Sequence, residues 1–287
     1  MWLLYALFAA IAFGVRGSLY HWTSTLGLNR NLMLCGVFVS GAIINLVATI
    51  ATGEQWNTAS LIGIQMGLFS FAASACMYQG FAVGKPSLIA ILTALPPVVV
   101  VIFAYFVWQE KLHMMQFIAF IVLVCGILVI RYSNDLSLKN LQGAQWGILT
   151  MLFFAANDLS TKWSTMEGAN KFPTLTNMFI TGALCFVLLW FIDHRRKFRG
   201  VSKVSKVSKG RTWGIGLLVG TTNAVGMILN MYAFGLGVTG LVSAIIAMNV
   251  VVILLYTRFV VKTPFTKLEV SGMCLAFVGV ILIHLFK

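Results

Sequence analysis

Two charges stand alone inside long apolar stretches, Arg16 within Ala-Phe-Gly-Val-Arg-Gly-Ser and Asp158 within Phe-Ala-Ala-Asn-Asp-Leu-Ser. A charge near the centre of a bilayer costs at least about 2.5–3.5 kcal/mol, so such residues face a protein interior and mark pathways for ligands or protons. An inward arginine can receive a carboxylate or another anionic group. An inward aspartate can bind a cationic group, or take up and release a coupling proton. Arg16 shares its helical face with Ala9, Ala12 and Tyr20, and small residues of this kind mark a face packed on protein. Asp158 precedes Lys162 by four residues, which leaves a second reading open, a self-neutralised pair with Lys162 snorkelling to the surface.

Uncharged polar groups surround these two in depth. Gly63, Gly67, Ser70, Ser74 and Met77 fall on one helical face, and a repeat of the sequence maps them onto Gly216, Gly220, Asn223, Met227 and Asn230. The GxxxG spacings read first as close helix packing. Ser70 and Asn223 then lie near mid-membrane, as do Thr93–Pro97 and Asn249. A proline within a span frees a backbone carbonyl, which is tolerated where it lines a cavity. The candidate substrate-binding set is therefore Arg16, Ser70, Pro96, Asp158, Asn223 and Asn249, with Asp158 also the candidate coupling group. At 1.5 Å per residue, Arg16 and Asp158 sit on opposite sides of the midplane, roughly 10 Å apart in depth.

The elements that position these groups are transmembrane helices. The chain of 287 residues is 60% hydrophobic and 9% charged, whereas soluble domains run near 45–50% and 25%. Its apolar stretches approach the 20 or so residues that cross a bilayer as helix. Ten spans are predicted, at about 2–21, 32–52, 59–83, 86–108, 114–131, 144–163, 174–192, 212–235, 239–259 and 267–286. Shifting the sequence by 153 positions lays Ile62–Ile130 on Ile215–Ile283 without a gap and pairs Gly63, Gly67, Gly84 and Gly126 with Gly216, Gly220, Gly237 and Gly279. Four glycines held in one register mark a duplication. Five spans per half force the second copy to enter the membrane from the opposite side, so the fold class is an all-α membrane protein with a 5+5 inverted-topology repeat. The expected repeats are 1–131 and 144–287.

End signals agree with these limits. Thr266 and Glu269 have the spacing of a capping box, His113 and Gln116 stand at the matching place in the first half, and Pro86 suits a first helical turn. The run Met1–Phe13 lacks a basic n-region and continues to Trp22 as a full span, so it reads as the first helix. Loops on the N-terminal side carry four Lys and Arg (Lys111, Lys162, Lys171, Lys287) and those on the other side fifteen, eight of them in Arg195–Arg211. By the positive-inside rule both termini are extracytoplasmic and the Val-Ser-Lys-rich loop is cytoplasmic. The net charge of +13 thus reports topology and implies no nucleic-acid partner. Cys35, Cys76, Cys125, Cys185 and Cys274 all lie in apolar runs and read as packing residues. No metal-ligand set, cofactor motif, GxSxG, HExxH or GxxxxGK[ST] is present, which leaves no recognisable catalytic residues.

The run Tyr78–Ile130, with Gly84, the mid-helix Pro96-Pro97, Glu110 before a short turn and Gly126 in the closing helix, resembles the end of an EamA-type domain of the drug/metabolite transporter superfamily. The resemblance implies ten helices, a central cavity and transport of small metabolites. The second copy departs from it, with Asn249 in place of Pro96 and Thr263-Pro264 in place of Glu110-Lys111. Family members with cytoplasmic termini also run opposite to the charge count of this chain. Glu110, at a helix end beside Lys111, reads as structural. The leading function is a secondary active transporter of small polar metabolites, amino acid-like or otherwise charged, working by alternating access with proton coupling in a multi-pass inner or plasma membrane. A lipid or lipid-linked metabolite flippase is the alternative, and a membrane-embedded enzyme a weaker one.

Overall fold

The computed structural model describes residues 1–24, 26–83, 86–132, 143–198 and 207–286, so Gly84 and the core of the Val-Ser-Lys loop (199–206) lie outside the described residues. The described residues form helices α1 (Trp2–Ser24), α2 (Arg30–Thr52), α3 (Ile62–Val83), α4 (Pro86–Leu92), α5 (Pro96–Val107), α6 (Met114–Arg131), α7 (Ala144–Met166), α8 (Lys171–Phe198), α9 (Lys209–Leu236), α10 (Thr239–Ile246), α11 (Asn249–Tyr256) and α12 (Lys267–Leu285). Among the described residues, nine stretches are long and apolar enough to cross a membrane. The tenth span is α7, 23 residues long like α1, whose mean hydropathy is lowered by Asn157, Asp158, Ser160, Thr161, Lys162 and Ser164.

Helix ends follow the local chemistry. The Asn29 side chain accepts the Leu32 N–H at the start of α2, and Gly53, at φ +68°, ends that helix in the left-handed conformation that glycine adopts without steric penalty. The predicted capping box forms at α12, where Thr266 N–H donates to Glu269 Oε2 at 2.7 Å and Glu269 N–H to Thr266 Oγ1 at 3.2 Å. His113 N–H donates to Gln116 Oε1 at 3.1 Å at the start of α6. Cys35 and Cys76 are buried in the packing as expected, but Cys125 and Cys274 are exposed on the outer faces of α6 and α12 and contribute nothing to the interior.

The fourth and ninth spans differ from expectation in one respect: each is a broken helix. Pro96 has no N–H, and its ring would collide with the carbonyl four residues back, so α4 stops at Leu92 and tightens into a turn in which Ala94 N–H donates to Ile91 O (2.9 Å) and Leu95 N–H to Leu92 O (3.2 Å). The second copy breaks at the equivalent place without a proline, between Ile246 and Asn249, with Met248 N–H donating to Ile245 O at 3.0 Å. The break therefore belongs to the position in the repeat, and Pro96 is one way of making it.

The halves pack by exchange of equivalent contacts. Gly67 sits on α8, where an added Cβ would lie 2.5 Å from Met178 O, and Gly220 sits on α2, where it would lie 2.5 Å from Val37 O. Gly41 abuts the Phe179 ring while Gly182 abuts Phe38, and Gly126 packs on Ala276 while Gly279 packs on Leu123. In lipid, where apolar burial gives no preference for helix over acyl chain, such close approach is what holds helices together. Each pair maps onto the other under one two-fold rotation, and with five spans per half this is the inverted repeat. The register is 153 residues from α3 onward, but in α2 and α8 it is 141, as Phe38 with Phe179 and Gly41 with Gly182 show. In α1 and α7 the same 141-residue step lays the buried Ala6, Ala9, Gly14 and Thr23 on the buried Gly147, Thr150, Ala155 and Ser164.

Candidate functional site

Arg16 is held in the interior by α1, on the side that packs against α9. Neighbouring Gly14 comes so close to α11 that a Cβ would lie 2.9 Å from the Asn249 carbonyl. The Arg16 guanidinium lies 4.6 Å from the Phe13 ring centroid and 5.8 Å from that of Tyr20, and its Nη1 donates to Asn223 Oδ1 across the repeat interface. Its Nε is buried without a protein acceptor. Two ring faces and one amide are modest compensation for a buried cation, because cation–π contacts contribute about 0.5–2 kcal/mol each. No carboxylate faces it among the described residues, so this charge keeps its capacity for an anion.

Asp158, on α7, accepts a hydrogen bond from Ser243 Oγ of α10 at 2.6 Å. The i,i+4 pair with Lys162 does not form. Lys162 Nζ instead donates to Phe234 O and Gly237 O, both at 3.1 Å, and so closes the carbonyl end of α9. Glu110 accepts the Thr239 N–H at 3.1–3.2 Å and caps the start of α10. Glu110 and Lys162 together clamp the α9–α10 connection, which gives both a structural task and leaves Asp158 with no cationic partner among the described residues.

The depth of the two charges follows from packing. Helices α7 and α9 run in the same direction, and an added Cβ on Gly235 would lie 3.7 Å from Thr165 Cγ2, which sets their register. Asp158, seven residues below Thr165, is then level with Ile228, five residues or roughly 8 Å of rise above Asn223 and its partner Arg16. The structure thus joins Arg16 to Asn223 and, apart from them, Asp158 to Ser243, while Asn249 meets α1 at Gly14 through its backbone carbonyl. Pro96 is buried at the first turn of α5, whose Val101 packs against Gly240 of α10, so the two broken spans meet. Ser70, the repeat counterpart of Asn223, is half-buried, and its carbonyl accepts from Ser74 Oγ at 2.9 Å. Among the described residues, no hydrogen bond joins Ser70 to either charge.

Asn157, Ser243 and Arg131 escape sequence reasoning, whereas Asn230 already stands on the polar face read from the repeat. Asn157 is 7% exposed and Asn230 1%, and the Oδ1 of each is buried with no donor. Under the 141-residue step Asn157 is the repeat counterpart of Arg16, so the interior carries a cation on one side and a neutral amide on the other. Ser243 was one hydroxyl in an apolar run, distinguishable only by its contact. Arg131, counted from sequence among loop charges, reaches back from the end of α6 to donate through Nη1 to Ala90 O (3.1 Å) and Thr93 Oγ1 (3.4 Å) at the α4 break, and its Nε is buried without an acceptor.

Comparison with known proteins agrees with this architecture. The profile of the EamA-like transporter family matches residues 1–132 and again 141–285. A crystal structure of another protein superposes with a TM-score of 0.79 over 100% of this chain and 99% of that chain, at 14% sequence identity, a likeness that establishes the fold alone. No curated protein matches.

Proposed function

Since the chain belongs to the EamA-like transporter family, whose members are multi-pass membrane transporters, we propose that it is a secondary carrier of small charged metabolites that alternates access by rocking its two repeats, 1–131 and 144–287. The observation that carries this reading is the meeting of the two broken spans at the repeat interface, with Arg16 on one side in depth and Asp158 on the other, neither neutralised by an opposite charge among the described residues. Discontinuous helices at mid-membrane supply unpaired backbone groups where a solute binds, and charges at that depth belong to solute or ion pathways.

The substrate in this reading has an anionic group that docks on Arg16 and a cationic group that docks on Asp158, as a zwitterion such as an amino acid does. Asn223 and Asn249 flank the anionic end and Ser243 the cationic end, while Pro96 shapes the wall between them and Ser70 contributes a hydroxyl. Protonation of Asp158 discharges the cationic subsite and releases that end, which would link the cycle to a proton gradient. Because Arg16 and Asn157 are repeat mates of unlike charge, the two sides of the cavity are unequal, and a substrate with two unlike ends fits it in one orientation. The test is a thermal-shift screen of purified protein against amino acids, dicarboxylates, sugars, nucleosides and organic cations. Stabilisation by zwitterions that is lost with either the amino or the carboxylate group removed supports the reading; stabilisation by neutral sugars alone refutes it.

A further inference from the structure

Away from the central site, a cavity of about 290 Å3 lies between α2, α8 and α9, lined by Leu32, Cys35, Val187, Trp190, Lys209 and Trp213. These residues stand near the start of α2, the end of α8 and the start of α9, which share one membrane face because α8 crosses opposite to the other two. The lining is apolar apart from one ammonium. Lys209 Nζ lies 5.7 Å from the Trp190 ring, and the Arg195 guanidinium lies 4.6 Å from the Phe191 ring, so both cations cover aromatic faces at this rim. Arg211 is exposed two residues on, and the first turn of α9 holds no acidic residue. Two exposed cations therefore stand at the helix end where the backbone dipole is already positive, an arrangement that an anion joining it would relieve.

We propose that this cleft binds one anionic phospholipid of the adjoining leaflet. An acyl chain enters between Leu32, Val187 and Trp213, and its continuation lies on the exposed Leu184 and Leu188 of α8. The phosphate stands against Lys209 and Arg211, at the level where tryptophans such as Trp190 and Trp213 mark the headgroup region. Charge alone would explain basic residues at this membrane face, but it does not explain an apolar cleft ending at one of them. A zwitterionic lipid fills the same cleft without a net charge to meet the two cations, so the site selects by headgroup charge, by about fivefold per basic residue. This inference does not rest on the carrier reading.

The experiment is native mass spectrometry of the full-length protein, delipidated and then exposed in detergent to an equimolar mixture of phosphatidylglycerol and phosphatidylcholine. Wild type is expected to retain phosphatidylglycerol over phosphatidylcholine by about twentyfold. The pair Lys209→Gln and Arg211→Gln should bring that ratio near one while total bound lipid persists, and Val187→Trp, which fills the cleft, should reduce retention of both. Each variant is first matched to wild type in size-exclusion profile and lipid-free melting temperature, so that misfolding does not imitate loss of the site. Equal retention of the two lipids by wild type, or an unchanged ratio in the double variant, overturns the proposal.

Discussion

Asn223→Asp separates a binding role for Arg16 from a purely structural one. In the native protein Asn223 offers Arg16 a neutral amide oxygen, and the guanidinium retains its charge for another partner. A carboxylate at the same place would neutralise it internally. At about 4 Å and an effective dielectric near 20 the attraction is roughly 4 kcal/mol, and burial of the new carboxylate offsets part of it. If only about 2 kcal/mol survives as competition, the apparent affinity for an anionic substrate falls about thirtyfold. The variant should therefore melt at or above the wild-type temperature and bind zwitterions at least about thirtyfold more weakly, whereas Asn223→Ala should keep binding within a few-fold. Melting curves in detergent and isothermal titration with the best ligand from the screen give both numbers. Native-like affinity in an Asn223→Asp protein of unchanged or raised stability would refute the assignment of Arg16 to substrate.

Three further outcomes follow from packing and charge. Gly220→Val places a Cβ 2.5 Å from Val37 O and 2.6 Å from Ser40 Cβ, short of ordinary contact, so α2 and α9 must part at a cost of about 1–3 kcal/mol, while Gly214→Ala, with nothing within 4 Å, should be neutral or stabilising in the same thermal melt. Glu110→Gln and Lys162→Gln, which loosen the α9–α10 connection, should each lower stability by about 0.3–1 kcal/mol and leave substrate affinity near native, measured by melting and titration in parallel. Gly210→Cys, on an exposed position with open space around it, should resist a membrane-impermeant maleimide in intact cells and react after permeabilisation; efficient labelling of intact cells would reverse the proposed orientation.

Much of the fold was legible in the sequence because a membrane leaves few options: apolar length gives the spans, and the 153-residue repeat with odd span number gives the inversion. The helix breaks were less legible. Pro96 signalled one, but Asn249 has no covalent reason to interrupt a helix, and only its equivalence to Pro96 marks the place. Which charges lie inside the apolar spans was legible, and what they touch was not. Arg16 and Asp158 stand out by the cost of charge in lipid, and their separation along the helices follows from rise per residue. What Arg16 touches depends on the α1–α9 interface, which no local pattern encodes. Lys162 shows the limit of such reading: i,i+4 spacing permits a pair with Asp158, yet two carbonyls at the end of α9 offer the ammonium a partner that sequence distance conceals. Asn157 was hidden for another reason, since the register changes from 153 to 141 residues between the repeats' later and earlier helices, and only packing reveals that it is the mate of Arg16.

The central claim is that Arg16 and Asp158 bound one substrate site, and uptake into proteoliposomes tests it most directly. Vesicles containing wild type, Arg16→Gln, Asp158→Asn and Lys162→Gln are compared with the best ligand of the screen in radiolabelled form, with and without an imposed pH gradient, at equal reconstituted protein. The account predicts accumulation driven by the gradient in wild type, loss of transport in both central variants, and a rate within a few-fold of wild type for Lys162→Gln. Wild-type rates from Arg16→Gln and Asp158→Asn together would contradict it and leave both charges as structural.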